Sequence, residues 1–459
     1  MTATSFSSLP LSAEQQHNLS ELGYTTMTPI QSESLPLILD GRDVLAQAQT
    51  GSGKTLAFGL GIMQKINPAF FGIQGLVLCP TRELADQVSR ELRKLARALG
   101  NIKILTLCGG AALRTQIESL SHGAHIVVGT PGRILDLLER GQLELGTVKT
   151  LVLDEADRMI DMGFYDDICA ITRACPLKRQ TLMFSATYPA QILKDSEGFM
   201  IDPQRIKVES LPSQSQIEQI FYEINPEQRF TATAILLNHF RPVSTLAFCN
   251  TKAQCEALAE ALQQQGIRAL VLHGDLEQRE REDVLVQFIN QSCSVLVATD
   301  VAARGLDIQT LDAVINVDIS PNAETHIHRI GRTGRSEARG LALTLCSPAE
   351  KFRAERIEKA IEAPLDWQDL PAVKANARSL QAPMKTICLR AGKKDKIRPG
   401  DLLGALTKDI GLTASQVGKI NIYDFVSFVA IERKVADTTI TQLRQRTIKG
   451  KQLQMRFME

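Results

Sequence analysis

Asp43-Val-Leu-Ala-Gln-Ala-Gln-Thr-Gly-Ser-Gly-Lys-Thr-Leu-Ala-Phe58 is the stretch on which the reading of this chain turns. A strand-like Asp43-Val-Leu runs into a glycine-bearing turn, and the turn runs into a helical pattern. The segment Ala48–Thr55 has the spacing of a phosphate-binding loop, with Ala48 where the first glycine would stand. Glycines at Gly51 and Gly53 let the backbone N–H groups of Gln49, Thr50 and Ser52 close around phosphate oxygens. Lys54 adds a point charge at the β- and γ-phosphates, and the Thr55 hydroxyl can ligate magnesium.

Outward from this loop, short apolar runs alternate with amphipathic stretches from about residue 35 to 350. The expected strands are 76–79, 104–107, 126–128, 151–153 and 181–184, then 246–249, 269–272, 295–298, 314–317 and 342–345. Such alternation predicts parallel sheets covered by helices on both faces, and two series predict two α/β domains. The polar, turn-rich segment 209–215 separates them as a linker, and a second break lies at 372–382. The expected division is therefore 1–208, 216–371 and 383–459. The last part reads as strand 384–390, helix 400–408, strands 417–422 and 425–431, helix 436–446 and strand 453–457. That is a split βαβ order, also used by RNA-recognition modules.

About 100 residues after the loop, Leu151-Val-Leu-Asp-Glu155 is an apolar strand ending in two acids. Asp154 can hold magnesium, and Glu155 can position or deprotonate an attacking water. Here the chain resembles the DEAD-box RNA helicases, from Phe6 to about Ser347. Asp154-Glu-Ala-Asp157 matches the motif that names the family, and Thr28-Pro-Ile-Gln31 resembles its adenine-reading segment. The resemblance implies two RecA-like doubly wound domains followed by an α+β RRM-like domain. It implies that Gln31, with Phe6 upstream, selects ATP. Ser185-Ala-Thr187, Asp157 and His328 would couple hydrolysis to domain movement. Arg332 and Arg335 look like γ-phosphate contacts, and Asp307 would reach the ribose. ATP and Mg2+ are the implied cofactors.

Further pieces match the family's RNA-contacting set. In the first domain they are Thr81 with Arg82, Gly110, and Thr130 with Arg133. In the second they are Thr251, His273-Gly274, Gln278 with Arg281, Thr299-Asp300 and Arg304-Gly305. Arginines there can pair with phosphates, so these contacts address backbone rather than base identity. A DNA-directed helicase and a non-catalytic RNA clamp are the competing readings. The adenine-reading segment and the form of residues 154–157 disfavour the first. Intact Lys54, Glu155 and Arg335 favour turnover over the second.

Charge is unevenly spread. Residues 383–459 carry 15 Lys/Arg against 7 Asp/Glu, while the remainder carries 37 against 44. A basic tail on an acidic body suits a polyanion partner. The tail resembles the RNA-recognition domain of the bacterial DbpA group of DEAD-box proteins, carried by Lys393-Lys-Asp-Lys-Ile-Arg398, Asp409-Ile-Gly411 and Ile448-Lys-Gly-Lys451. That resemblance implies a 23S rRNA hairpin near the peptidyl-transferase centre, and pre-50S particles, as partners. Strand alternation places Val426 and Phe428 on one face of strand 425–431, with Phe425, Ser427, Val429 and Ile431 on the other. One ring is a thin stacking platform, so Lys393, Lys394, Lys396, Arg398, Lys449 and Lys451 are the candidate RNA contacts. Nine scattered cysteines without a C-x-x-C pair read as reduced thiols. With no apolar run of spanning length and no secretory start, a cytoplasmic protein without membrane partners is expected; a monomer is expected too, and the resemblance implies no DNA partner.

Overall fold

The computed structural model describes residues 5–48, 51–185, 198–208, 217–303, 311–334, 340–372 and 379–458. Three sheets organise them. The first contains β1 (Val44–Gln47), β2 (Gly75–Leu78), β3 (Ile104–Leu107), β4 (Ile126–Gly129), β5 (Thr150–Asp154), β6 (Gln180–Ser185) and β7 (Gln204–Lys207). Its order is β3-β4-β2-β5-β6-β1-β7, all parallel. The second contains β8 (Ile217–Glu223), β9 (Thr245–Phe248), β10 (Ala269–Leu272), β11 (Val295–Ala298), β12 (Ala313–Asn316), β13 (Gly340–Cys346) and β14 (Asp366–Gln368). Its order is β10-β11-β9-β12-β13-β8-β14, again parallel. The third is antiparallel, β16-β17-β15-β18, from β15 (Met384–Leu389), β16 (Val417–Ile422), β17 (Ser427–Glu432) and β18 (Met455–Phe457).

The apolar runs form strands because both of their faces are covered. Every residue of β2, β4, β5 and β6 is buried, as parallel sheets require. All ten strands expected between residues 76 and 345 are present, with every end within two residues of the expected one. Strands β7, β8 and β14 were not anticipated. Each is rich in Gln, Glu, Lys, Arg or Asp and lies at or next to a sheet edge, where one polar flank is tolerated. The linker 209–215 and residues 373–378 of the second break lie outside the described residues. All nine cysteines are free thiols, and only Cys169 is less than fully buried. No described helix is long and apolar enough to cross a membrane.

The chain divides into two compact units, one holding the first sheet and the other the second and third. Within the latter, the third sheet packs on the helix Gln278–Ile289. Phe428 and Met458 are buried with Cys388 against Val286 of that helix. Met384 N–H donates to Gln291 O at 3.2 Å, Ser292 and Thr386 hydroxyls lie 2.8 Å apart, and Arg268 donates to Met458 O at 3.3 Å. The opposite face of the sheet carries Val429 and Ile431 in the module's own core. The alternation expected for Val426 and Phe428 is therefore present. Phe425 departs from it: Tyr423 N–H closes a turn onto Val426 O at 2.9 Å, the strand starts at Ser427, and Phe425 is 70% exposed. The expected helix 400–408 is an α-helix only over Pro399–Gly404 and widens into a π turn over Ala405–Asp409.

Candidate functional site

In the first unit, β1 leads through the glycine loop into the helix Lys54–Lys65. Gly53 caps that helix at φ 94°, and a Cβ there would collide with the Gln31 amide. This close approach, together with the left-handed backbone, requires glycine. The segment at Thr28 is wired to the loop's carbonyls. Thr28 Oγ1 donates to Ser52 O at 2.7 Å, Gln31 Nε2 donates to Gly53 O at 3.0 Å, and Thr28 N–H donates to Gln31 Oε1 at 2.9 Å. These bonds use half of the Gln31 amide's capacity and fix the loop's carbonyls behind it. Phe6 is packed into the core of this unit at 4% exposure. Lys54 is buried and donates to Ala48 O at 3.0 Å. Gln49 and Thr50 lie outside the described residues. Gly51 is exposed, while Ser52 and Thr55 are half-buried.

Asp154 ends β5 at 3% exposure, and its Oδ1 has no hydrogen-bond partner among the described residues. Burial pushes its carboxyl up to about 6, a shift that Lys54 opposes and Glu155 reinforces. An orphaned buried carboxylate oxygen beside a lysine is a site that fits a divalent cation. Glu155 leaves the strand in the left-handed region (φ 54°, ψ 51°), uncommon for a non-glycine residue. Its carboxylate meets Arg158 Nη1 at 2.5 Å, with both side chains buried. Arg158 was not anticipated. The i,i+3 spacing of an acid and an arginine at a helix start was the signal available. Asp157 N–H donates to Ser185 Oγ at 3.3 Å, and Arg158 N–H donates to Asp157 Oδ1 at 3.0 Å. Thr187 lies outside the described residues.

The first unit's polynucleotide candidates come from the C-terminal ends of three neighbouring strands, β2, β4 and β3. Thr81 caps the helix Arg82–Leu95, accepting from Leu84 N at 3.4 Å. The Arg82 guanidinium packs against Gly110. Arg133 donates to Ala111 O at 3.3 Å, and Thr130 caps the helix Pro131–Glu139. Thr81, Arg82, Gly110, Thr130 and Arg133 thus form one cluster. The second unit repeats the arrangement at β9, β10 and β11, also neighbours. Thr251 caps the helix Lys252–Gln264, accepting from Gln254 N at 3.2 Å. His273 is buried beside Glu256 at 3.2 Å, and Gly274 is exposed. Gln278 bonds Glu282 at 3.0 Å, and Arg281 donates to Ala302 O at 2.9 Å, tying its helix to the turn that bears Thr299 and Asp300. In open α/β sheets, ligands bind at such strand ends.

A second residue that sequence reasoning passed over organises this unit. Arg329 is 1% exposed and forks onto Asp300 at 2.7 and 2.8 Å. It also donates to Asp318 O at 2.7 Å and to the Asn316 and Asn250 side chains at 3.2 Å, with Phe248 beneath its guanidinium at 4.9 Å. It lies between His328, half-buried, and Arg332, buried at 5%. Arg304, Gly305, Asp307 and Arg335 lie outside the described residues.

In the third sheet's module the basic candidates separate into two sets. Lys449 Nζ pairs with Asp401 at 2.8 Å and donates to Lys396 O at 2.6 Å, and Lys451 pairs with Asp395 at 3.3 Å. Lys393, Lys394, Lys396 and Arg398 are exposed and, among the described residues, make no ion pair. The first set holds two loops together; the second presents charge to solvent.

The DEAD/DEAH box helicase profile matches residues 28–196, the helicase conserved C-terminal domain matches 228–337, and the DbpA RNA binding domain matches 386–457. The ATP-dependent RNA helicase DbpA of Escherichia coli is 50% identical over 99% of this chain and all of its own length. The DEAD-box ATP-dependent RNA helicase CshA of Geobacillus kaustophilus is 43% identical over 81% of this chain and 79% of its own. Among solved structures, Saccharomyces cerevisiae Dbp5 bound to RNA and ADP BeF3 aligns at TM-score 0.73 and 29% identity, covering 80% of this chain and 96% of that one. Mss116p bound to ssRNA and AMP-PNP aligns at 0.72 and 25%, covering 81% and 80%. A full-length relative at this identity, with all three domains in order, leaves one assignment: the chain belongs to the DEAD-box ATP-dependent RNA helicases and is similar throughout to their DbpA group.

Proposed function

We propose that this helicase opens short RNA helices in precursors of the large ribosomal subunit. Its C-terminal module, residues 383–459, would direct it to a 23S rRNA hairpin near the peptidyl-transferase centre. In this reading residues 1–208 and 216–371 are the two catalytic lobes, and the protein works as a cytoplasmic monomer. Gly51, Ser52, Gly53 and Lys54, with Gln49 and Thr50, cradle the phosphates of ATP. Gln31 and Phe6 favour adenine, and Asp307 reaches the ribose. Thr55 and Asp154 would hold magnesium, which supplies charge neutralisation at the phosphates. Glu155 orients the attacking water. Arg332 and Arg335 come from the other lobe, so hydrolysis waits for closure; such an arginine is worth roughly 10³–10⁵ in rate. Asp157, Ser185, Thr187 and His328 relay that closure.

The strand-end clusters of both lobes, with Arg304 and Gly305, hold one RNA strand by its backbone. Closing both lobes on that strand bends it away from its complement. The observation that carries the reading is the orphaned Asp154 oxygen beside Lys54, at the end of a strand whose neighbour β2 leads into Thr81 and Arg82. For the target, the support is the DbpA-type domain match together with the exposed basic set. The test is RNA-stimulated ATP hydrolysis at fixed salt, with a 23S fragment bearing the hairpin and the same fragment with the hairpin scrambled. The hairpin should lower the half-saturating RNA concentration at least about tenfold, as each 1.4 kcal/mol of added binding does. Equal stimulation by both RNAs would defeat the proposed target.

A further inference from the structure

We propose that Tyr423 and Phe425 form a two-ring platform on which unpaired bases of the bound RNA stack. The inference rests on reading the C-terminal module as an RNA-binding domain. It names where that module meets bases, which its sheet face cannot provide: Phe428 is 5% exposed beneath the helix Gln278–Ile289. The rings lie instead in the turn between β16 and β17. Tyr423 is 41% and Phe425 70% exposed, a costly way to leave two aromatic side chains in water.

The turn is held firmly. Tyr423 N–H bonds Val426 O at 2.9 Å, and the Tyr423 ring stands edge-on to Phe428 with centroids 5.6 Å apart at 81°. Phe428 is itself clamped by the helix below, so Tyr423 has a fixed footing. The turn is also joined to the basic loop. Lys393 N–H donates to Tyr423 O at 2.8 Å, and Lys394 N–H donates to Asp424 O at 2.9 Å. Gly392 makes this possible, because a Cβ there would run into the carbonyls of both Tyr423 and Asp424. Two exposed rings and two exposed lysines therefore belong to one hydrogen-bonded surface. Asp424 lies between the rings and leaves that group net positive.

Rings flanked by cations match a ligand that has both π-faces and phosphates. A duplex hides its base faces within its own stack. The ligand class is thus unpaired nucleotides, such as those of a hairpin loop. Base–aromatic stacking is worth about 1–3 kcal/mol per base by substitution, so removing a ring should weaken binding by roughly 5- to 150-fold.

The experiment uses the full chain and a hairpin RNA with 2-aminopurine in its unpaired loop. Phe425→Leu and Tyr423→Leu keep apolar bulk and remove the ring. Each should weaken binding about fivefold or more and relieve the quenching of 2-aminopurine. The slope of log affinity against log salt should stay the same, since no phosphate contact is lost. Phe425→Tyr should restore both signals. Phe425 is exposed, so its variants do not threaten the fold. A parallel variant carries Lys393→Ala, Lys394→Ala and Arg398→Ala. If it loses affinity while the leucine variants bind and quench as the wild type does, the platform is refuted and RNA binding by the module stands. If neither set changes hairpin affinity, the RNA-binding reading of this surface falls too.

Discussion

Removing Arg329 should unfold the second lobe more readily than any single surface change. Its guanidinium is 1% exposed and makes two bonds to Asp300, one to a main-chain carbonyl and two to asparagine side chains. In Arg329→Met the flexible apolar side chain fills much of the space. Asp300, whose side chain is 22% exposed, then keeps a mostly buried charge without its counter-ion. Breaking one partner of a buried pair costs about 3–5 kcal/mol. With a urea dependence of about 2 kcal/mol/M, the midpoint should fall by roughly 1.5–2.5 M. The assay is intrinsic to the chain. Its only tryptophan, Trp367, sits on β14 of the same sheet, 5.5 Å from Phe221, and reports that lobe's unfolding. Adding Asp300→Asn removes the stranded charge and should recover part of the loss, a coupling on the order of 1–3 kcal/mol. A midpoint within about 0.5 M of wild type for Arg329→Met, or a double variant no better than the single one, would refute the network argument.

Two further outcomes follow from the same structure. Lys54→Ala and Glu155→Gln should each reduce RNA-stimulated turnover by roughly 10²-fold or more; near-normal activity in a coupled ATPase assay for either would remove it from the site. His326 is buried 3.2 Å from Gln219, and burial, helped by Arg329, lowers its pKa from 6.5 to about 3. The unfolded chain therefore binds the extra proton between those values. Stability contributed by neutral His326 is complete above pH 6.5 and is lost as pH falls, by up to about 1.4 kcal/mol per pH unit. In His326→Gln the urea midpoint should depend less steeply on pH between 6.5 and 5, and an unchanged slope would exclude this residue as the source.

The features read from the sequence are carried by neighbours in the chain. Runs such as Leu76-Val-Leu78 and Ile126-Val-Val128 are apolar at every position, and only a sheet covered on both faces buries them all. The glycine loop before Lys54, the acids at the end of β5, and the threonines that cap helices after β2 and β9 are local motifs, legible because their spacing is set by backbone geometry. Polar strands such as β14 were missed because edge strands carry no such period. Tertiary structure alone decided the partners. Gln31 turns to Gly53 and Arg329 to Asp300, each choice fixed by which groups folding leaves buried without water. It also decided that Phe428 is covered and Phe425 is not. That outcome depends on a helix 139 or more residues earlier in the chain closing over one sheet face, and no local pattern encodes a contact at that separation.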